Sequence, residues 1–242
     1  MVLTLSFTSV LVQAQLTFSF TPKLEQAFTK HPPWRTEMKS LETALNKQLQ
    51  EIEDTLREYK SSNKKIQARA RVLLGMTLGA HYDQSSAVRE AVFKHIFDNV
   101  QHMESTLTLD GVIVPQNPKV FVNLGAGGRI YLTEGFFMDE KLTTWLKVFM
   151  LLHEVFRATV PQQTQRFVFG ATRDPQTRTF PVTPLFEGGG PLKPGEKEVD
   201  GAWNKDFKQI LDQPSGVQVM PFNPDLIPLM GYCFTNDGRL PS

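Results

Sequence analysis

The chain has 242 residues, of which 40% are hydrophobic and 21% charged, and 26 basic residues balance 25 acidic ones to a formal net charge of +1. This composition is typical of a globular protein with a sizeable core, built as one large domain or two small ones. The balanced charge excludes an electrostatic argument for a nucleic-acid partner, the single cysteine excludes an intrachain disulfide, and no apolar run is long enough for a transmembrane helix.

The N-terminal segment, residues 1–21, allows two interpretations. Residues 2–12 are uncharged and apolar-leaning, and the following Gln13-Ala14 resembles the small-residue cleavage site of a secretory signal. Alternatively, LTLSFT (3–8) and LTFSFT (16–21) alternate apolar residues with Ser and Thr, which is the pattern of a pair of half-buried strands. The signal interpretation predicts a secreted protein and the strand interpretation leaves the compartment open.

Three helices are expected to follow. The first covers residues 36–60, because its apolar residues recur every three or four positions and place charged residues on the opposite face. The second covers residues 64–79, where Gly79 closes it, and the third begins at Ser85 and Ser86, whose hydroxyls suit an N-cap. Together they predict an antiparallel helical subdomain.

A strand hairpin is predicted next, from KVFVNL (119–124) and RIYLTE (129–134). Gly125 to Gly128 lie between the two strands and have the composition of a hairpin loop. A phosphate-binding role for these glycines is disfavoured, because a strand and not a helix follows them.

After the hairpin, a fourth and more apolar helix is expected. It begins at Asp139 and Glu140, which suit a first helical turn, and it ends at Val160 because Pro161 stops it. It carries His153, Glu154 and Arg157 in the order His-Glu-x-x-Arg. His153 and Arg157 are four positions apart and therefore lie on the same face.

The hairpin followed by a His-Glu helix resembles the zincin arrangement of zinc peptidases. That resemblance implies an edge strand beside a substrate cleft, and a helix that supplies two His ligands and a Glu base in the motif His-Glu-x-x-His. His153 matches the first zinc ligand and Glu154 the catalytic base, whereas Arg157 stands at the second-His position.

The downstream segment FVFGATRDPQTRTF extends the resemblance to aspzincins, the deuterolysin and lysine-specific metallo-endopeptidase group. Gly170 and Asp174 keep the spacing of that group's Gly-Thr-x-x-Asp-x-x-Tyr-Gly motif, which implies Asp174 as the third zinc ligand. Ala171, Thr177 and Arg178 depart from the motif.

Arginine has no lone pair to offer a metal and is permanently cationic. We therefore expect a degenerate site, in which Arg157 replaces the charge of the metal by pairing with Asp174 and with Glu154. Zinc remains a possible cofactor only if another ligand substitutes for Arg157.

The C-terminal residues 181–242 are rich in Pro and Gly and are expected to form an extension packed on the body. Within it, a short helix is predicted around Trp203, Phe207 and Ile210. The tail from Met220 contains too many prolines for regular structure to be expected.

The sequence therefore predicts an α+β fold, with residues 34–180 forming a zincin-like domain. Its expected parts are an N-terminal helical part, a small antiparallel sheet and the His-Glu-x-x-Arg helix. The expected function is that of a pseudo-peptidase or binding protein with protein or peptide partners. Two alternatives are an active zinc endopeptidase with an unusual ligand set, and a noncatalytic interaction protein, unrelated to zincins, that uses the face of helix 36–60.

Overall fold

The computed structural model describes residues 15–111 and 121–241, and their mixture of helices and small sheets confirms the α+β class. The helices of these residues are α1 (Pro22–Lys30), α2 (Pro32–Glu58), α3 (Lys64–Leu78), α4 (Ser86–Met103), α5 (Glu134–Met138), α6 (Thr144–Thr159), α7 (Phe207–Leu211), α8 (Pro214–Val219) and α9 (Leu226–Thr235). The strands are β1 (Thr17–Phe20), β2 (Thr106–Gly111), β3 (Val122–Leu124), β4 (Ile130–Leu132), β5 (Arg166–Phe169), β6 (Val182–Pro184) and β7 (Lys197–Asp200).

The three predicted N-terminal helices are present as α2, α3 and α4. The side chain of Asn63 accepts hydrogen bonds at the start of α3, and Ser85 does the same for α4, where a cap was expected. Gly79 ends α3 with a φ of 71°, in the left-handed region that glycine tolerates best. The periodic apolar face of α2 is buried in the core.

The first sheet has the strand order β1-β2-β4-β3. The predicted hairpin is confirmed for its described residues, because β3 pairs antiparallel with β4, and Lys119 and Val120 of its first strand lie outside them. The expectation of an antiparallel sheet is otherwise wrong, since β1 pairs parallel with β2 and β2 pairs parallel with β4. Helices α1 to α4 connect β1 to β2, and such a long crossover allows a parallel pair.

The N-terminal strand predicted at residues 16–21 is present as β1. It lies at one edge of the first sheet, next to β2. Residues 1–14, to which the signal interpretation and the strand at 3–8 apply, lie outside the described residues.

Helix α6 begins later than the sequence indicated, at Thr144 instead of near Asp139 and Glu140. The carboxylate of Asp139 accepts a hydrogen bond from the backbone N–H of Lys141, which forms a turn after α5. The acids that suggested a helix start therefore shape the preceding turn.

The C-terminal part is more regular than predicted. Strands β6, β5 and β7 form a second, antiparallel sheet, and α7 confirms the short helix expected near Phe207. The tail was expected to lack regular structure and instead forms α9, which is buried against α2 and α6. Pro228 is compatible with this helix because it lies in the first turn, where a backbone N–H has no partner within the helix.

Within the two described ranges, no helix is both long and apolar enough to cross a membrane.

Candidate functional site on the His-Glu helix

Helix α6 presents its functional side chains at the border between core and surface. Leu152, Val155 and Phe156 are fully buried, and they hold one side of the helix against the core. His153 and Arg157 are partly exposed, whereas Glu154 is buried with 8% of its surface accessible. The helix ends after Thr159, ahead of Pro161, as the sequence predicted.

Glu154 and Arg157 form an ion pair. The Nη1 of Arg157 donates to Oε2 of Glu154 at 3.0 Å and to Oε1 at 3.3 Å. Burial raises the pKa of the Glu154 carboxyl, and the charges of His153 and Arg157, with hydrogen bonds from Arg157 and from the backbone N–H of Leu124, act in the opposite direction. Arg157 therefore supplies the compensating cation that a buried carboxylate requires.

Strand β3 brings Leu124 to this ion pair. The backbone oxygen of Phe121 accepts from Thr133, and the N–H of Gly125 donates to Arg129, so the odd-numbered residues of the strand bond to β4. In an antiparallel pair, the backbone groups of alternate residues face opposite sides. Val122 and Leu124 consequently direct theirs away from β4, towards the outer edge of the sheet beside Glu154.

His153 belongs to a second polar group. Its Nδ1 lies 2.5 Å from Oδ1 of Asp225, the residue that precedes α9. Oδ2 of Asp225 accepts from Nε2 of Gln165 at 3.0 Å and from the backbone N–H of Trp203 at 2.8 Å. Asp225 is 4% exposed, so this carboxylate joins four segments of the chain inside the molecule.

Asp225 is the site residue that the sequence interpretation missed. It stands directly before the apolar run Leu226-Ile227-Pro228-Leu229-Met230, which belongs to the buried helix α9. An acid beside an apolar segment has to be paired when that segment is buried, and this rule was the available signal. The signal names no partner, because His153 is remote in sequence.

Asp174 lies in the exposed loop between β5 and β6. Its Oδ1 accepts from the backbone N–H groups of Gln176 and Thr177, both at 2.8 Å. These hydrogen bonds lower the pKa of the Asp174 carboxyl. Its side chain stabilises its own loop, in which Arg178 adopts a positive φ of 57°.

The structure thus brings Glu154 and Arg157 together and gives Asp174 a local role. Among the described residues, the ion-pair partner of Arg157 is Glu154, and the pairing with Asp174 that the sequence suggested is not formed.

Zinc sites require three or four donors around one position. Within the described ranges, no group of three or more His, Cys, Asp and Glu side chains is arranged to hold a metal ion. At α6 the donors are one imidazole, engaged through Nδ1 with Asp225, and one carboxylate, engaged with Arg157. This donor set does not fit zinc, because two donors are fewer than a zinc site needs and the guanidinium of Arg157 offers no lone pair.

Comparisons with protein-family models, with curated proteins and with solved structures gave no match.

Proposed function

We propose that this protein is a noncatalytic, zincin-like binding protein, a pseudo-peptidase that holds an extended peptide segment beside Glu154 and Arg157 without cleaving it. The observation that carries the proposal is the ion pair between Glu154 and Arg157 on α6. In the zincin arrangement, the Glu next to the first His removes a proton from a metal-bound water. Here the matching carboxylate is engaged by a guanidinium from the second-His position.

Two further features support the zincin-like part of this proposal. Strand β3 is at the edge of the first sheet and α6 packs beside it, as the resemblance implies for the strand along a substrate cleft. The Nδ1 of His153 bonds to the carboxylate of Asp225, an arrangement that also orients metal-binding imidazoles in zinc enzymes.

The peptide-binding part rests on the outer edge of β3. An edge strand with outward-facing N–H and C=O groups can accept an extended peptide as an additional strand. The outward groups of Val122 and the outward C=O of Leu124 are of this kind, whereas the Leu124 N–H is engaged by Glu154 and is not available to a peptide. Arg157 is partly exposed next to this edge and offers charge for a peptide carbonyl or carboxylate.

The proposal is tested by changing the residue that distinguishes this helix from a peptidase helix. In Arg157→His, two imidazoles four residues apart face the same side of α6, and Glu154 loses its ion pair with the Arg157 guanidinium. We expect the variant to gain Zn²⁺ or Co²⁺ binding, at least about tenfold tighter than in the unaltered protein, since each 1.4 kcal/mol of added ligation is one factor of ten. Metal affinity is measured by calorimetry and by cobalt absorption spectra.

Arg157→Gln is the matched control, because it removes the same charge without adding a metal ligand. Equal metal affinity in the two variants would count against the zincin-like scaffold. The unaltered protein should be purified with far less than stoichiometric zinc, and neither it nor Glu154→Gln should cleave protein substrates.

A chelator-sensitive protease activity that Glu154→Gln abolishes would instead establish the active endopeptidase.

Peptide binding is followed with a library of unstructured peptides and the variant Val122→Pro, which introduces a bulky ring without an N–H at the outer edge of β3. Unchanged peptide binding in Val122→Pro would refute the edge-strand site.

A further inference from the structure

A second surface feature lies away from the His-Glu helix, between α2, α3 and α4. These helices enclose an open groove of about 780 Å³, which we call the basic groove. Tyr59, Phe93 and Phe97 contribute apolar surface to it, and cations including Lys60, Arg71 and Arg89 line it as well. Its volume is within the range of roughly 300–1,000 Å³ that binding pockets commonly have.

The unpaired charge of the basic groove is positive. Five Lys and Arg side chains line it together with one acid, Glu90, and three of these cations, Arg57, Arg89 and Lys94, pair with acids outside the lining. Lys60 and Arg71 are exposed, and neither takes part in an ion pair among the described residues. Lys60 and Arg71 are therefore the cations of the groove that remain for a ligand.

The arginines of the groove are held in place by stacking. The guanidinium carbon of Arg71 lies 5.2 Å from the ring centroid of Tyr59, and that of Arg89 lies 5.3 Å from it. Tyr59 is fixed in turn, because its hydroxyl donates to Asp83, which also pairs with Arg89. Stacking over the ring leaves the in-plane N–H donors of Arg71 available to a carboxylate.

We propose that the basic groove binds an acidic peptide segment of a partner protein, with carboxylates at Lys60 and Arg71 and one apolar side chain against Phe93 and Phe97. The aromatic floor suits an aliphatic or aromatic side chain, and the fixed guanidinium suits a carboxylate. A peptide is a better ligand for this groove than a nucleic acid. Arg57 and Lys94 are already paired with acids of their own helices, so they are not available to bind phosphate groups. A polyanion is bound through many uncompensated cations, and this groove has few.

The segments outside the described residues do not supply the complementary charge. The parts of the sequence outside the described residues, 1–14, 112–120 and Ser242, contain no Asp or Glu side chain. These segments therefore do not offer the acidic side chains that the groove would pair with.

The test uses the full-length protein and a fluorescein-labelled peptide Glu-Glu-Leu-Glu-Glu, with Gln-Gln-Leu-Gln-Gln as its uncharged equivalent. Fluorescence anisotropy should show saturable binding of the acidic peptide only, weakened by added salt. Arg71→Glu should weaken it about tenfold or more, because the variant places like charge opposite the peptide. Lys65→Glu, on the same helix but outside the groove, is the charge-matched control and should change binding less than about twofold.

Circular dichroism and thermal unfolding establish that the variants fold, and Lys60→Glu replaces Arg71→Glu if the latter does not. Absence of saturable binding up to about 1 mM, where binding is worth only some 4 kcal/mol, would overturn the proposal. Equal losses in Arg71→Glu and Lys65→Glu would also overturn it, because the attraction would then be general. Tighter binding of a single-stranded oligonucleotide than of the acidic peptide, lost in Arg71→Glu, would assign the groove to nucleic acid instead.

Discussion

At the scale of single residues, Asp225 holds together parts of the chain that are far apart in sequence. Its two carboxylate oxygens accept from His153, Gln165 and Trp203. In addition, its own N–H donates to the side chain of Asn223. A buried carboxylate with this many partners makes the position of His153 dependent on the segment that begins α9.

Replacing Asp225 by Ala should lower the free energy of unfolding by about 3 kcal/mol, because three donors lose their acceptor in a buried place. Asp225→Asn keeps one acceptor oxygen and should lose less. Urea unfolding followed by tryptophan fluorescence measures both. Asp212→Ala, which alters an exposed acid after α7, is the control and should remain within about 0.5 kcal/mol of the unaltered protein.

Arg157 is the residue on which the proposed function depends most. A His at this position would extend the resemblance to a metal-binding helix, whereas the guanidinium gives Glu154 a permanent partner. That Arg157 carries a permanent charge and cannot ligate a metal follows from the chemistry of arginine alone. The choice of Glu154 and not Asp174 as its partner depends on the loop that contains Asp174, which closes on itself through Gln176 and Thr177.

At the scale of elements, the sequence predicted that the C-terminal segment packs on the body, but not that it forms α9 and packs on α2. The two helices approach closely where Gly231 faces Gln48. A Cβ on Gly231 would lie 2.6 Å from Oε1 and 2.8 Å from Cβ of Gln48, so the small residue is required for the approach. The helix was not predicted because the segment is rich in proline, which normally disrupts a helix. Pro228 is tolerated here because it lies in the first turn of α9.

Gly231→Ala should therefore destabilise the protein by about 1–3 kcal/mol, as expected when a methyl group is forced into a tightly packed contact. The effect overrides the gain in helix propensity that Ala normally brings. Thermal and urea unfolding give the measurement. Gly190→Ala is a matched control, since a Cβ there would meet nothing within 4 Å, and a similar loss in both variants would contradict the packing argument.

At the scale of the whole molecule, the stability should depend on pH through Glu104. Burial, and then the charge of Glu53, raise the pKa of the Glu104 carboxyl to about 7 from its ordinary value of 4.5. Gln101 bridges the two acids, donating to Glu53 at 2.5 Å and to Glu104 at 3.0 Å. The pair lies between α2 and the end of α4, two elements of the core.

The sign of the effect follows from proton binding. Between pH 4.5 and 7 the folded protein retains a proton on Glu104 that the unfolded chain has released. The free energy of unfolding therefore falls as the pH rises through this window. Glu104→Gln carries no titratable proton and should flatten that decline, measured as urea midpoints between about pH 5 and pH 8.

Glu140→Gln, at an exposed position before α6, is the control and should leave the slope with pH unchanged. A slope that stays the same in Glu104→Gln would show that other groups govern the pH dependence.

The sequence by itself determined the local elements. The periodicity of Leu41, Leu45 and Leu49 gave the buried face of α2, Ser85 marked the start of α4, and alternation around the glycines gave the hairpin of β3 and β4. These features depend on neighbouring residues, on caps and on turn chemistry, all of which are local. The order His-Glu-x-x-Arg on α6 was likewise readable from the sequence, and the inability of Arg157 to ligate a metal follows from its residue type.

Only the tertiary structure decided which distant residues meet. The parallel pairing of β1 with β2, the burial of α9, and the bonds from Asp225 to His153 and from Leu124 to Glu154 all join segments that no spacing relates. Such contacts are set by the packing of the whole core, in which apolar burial is non-directional and does not name its partners. For that reason the ion pair between Glu154 and Arg157 could be inferred from the sequence, and the residues that surround it could not.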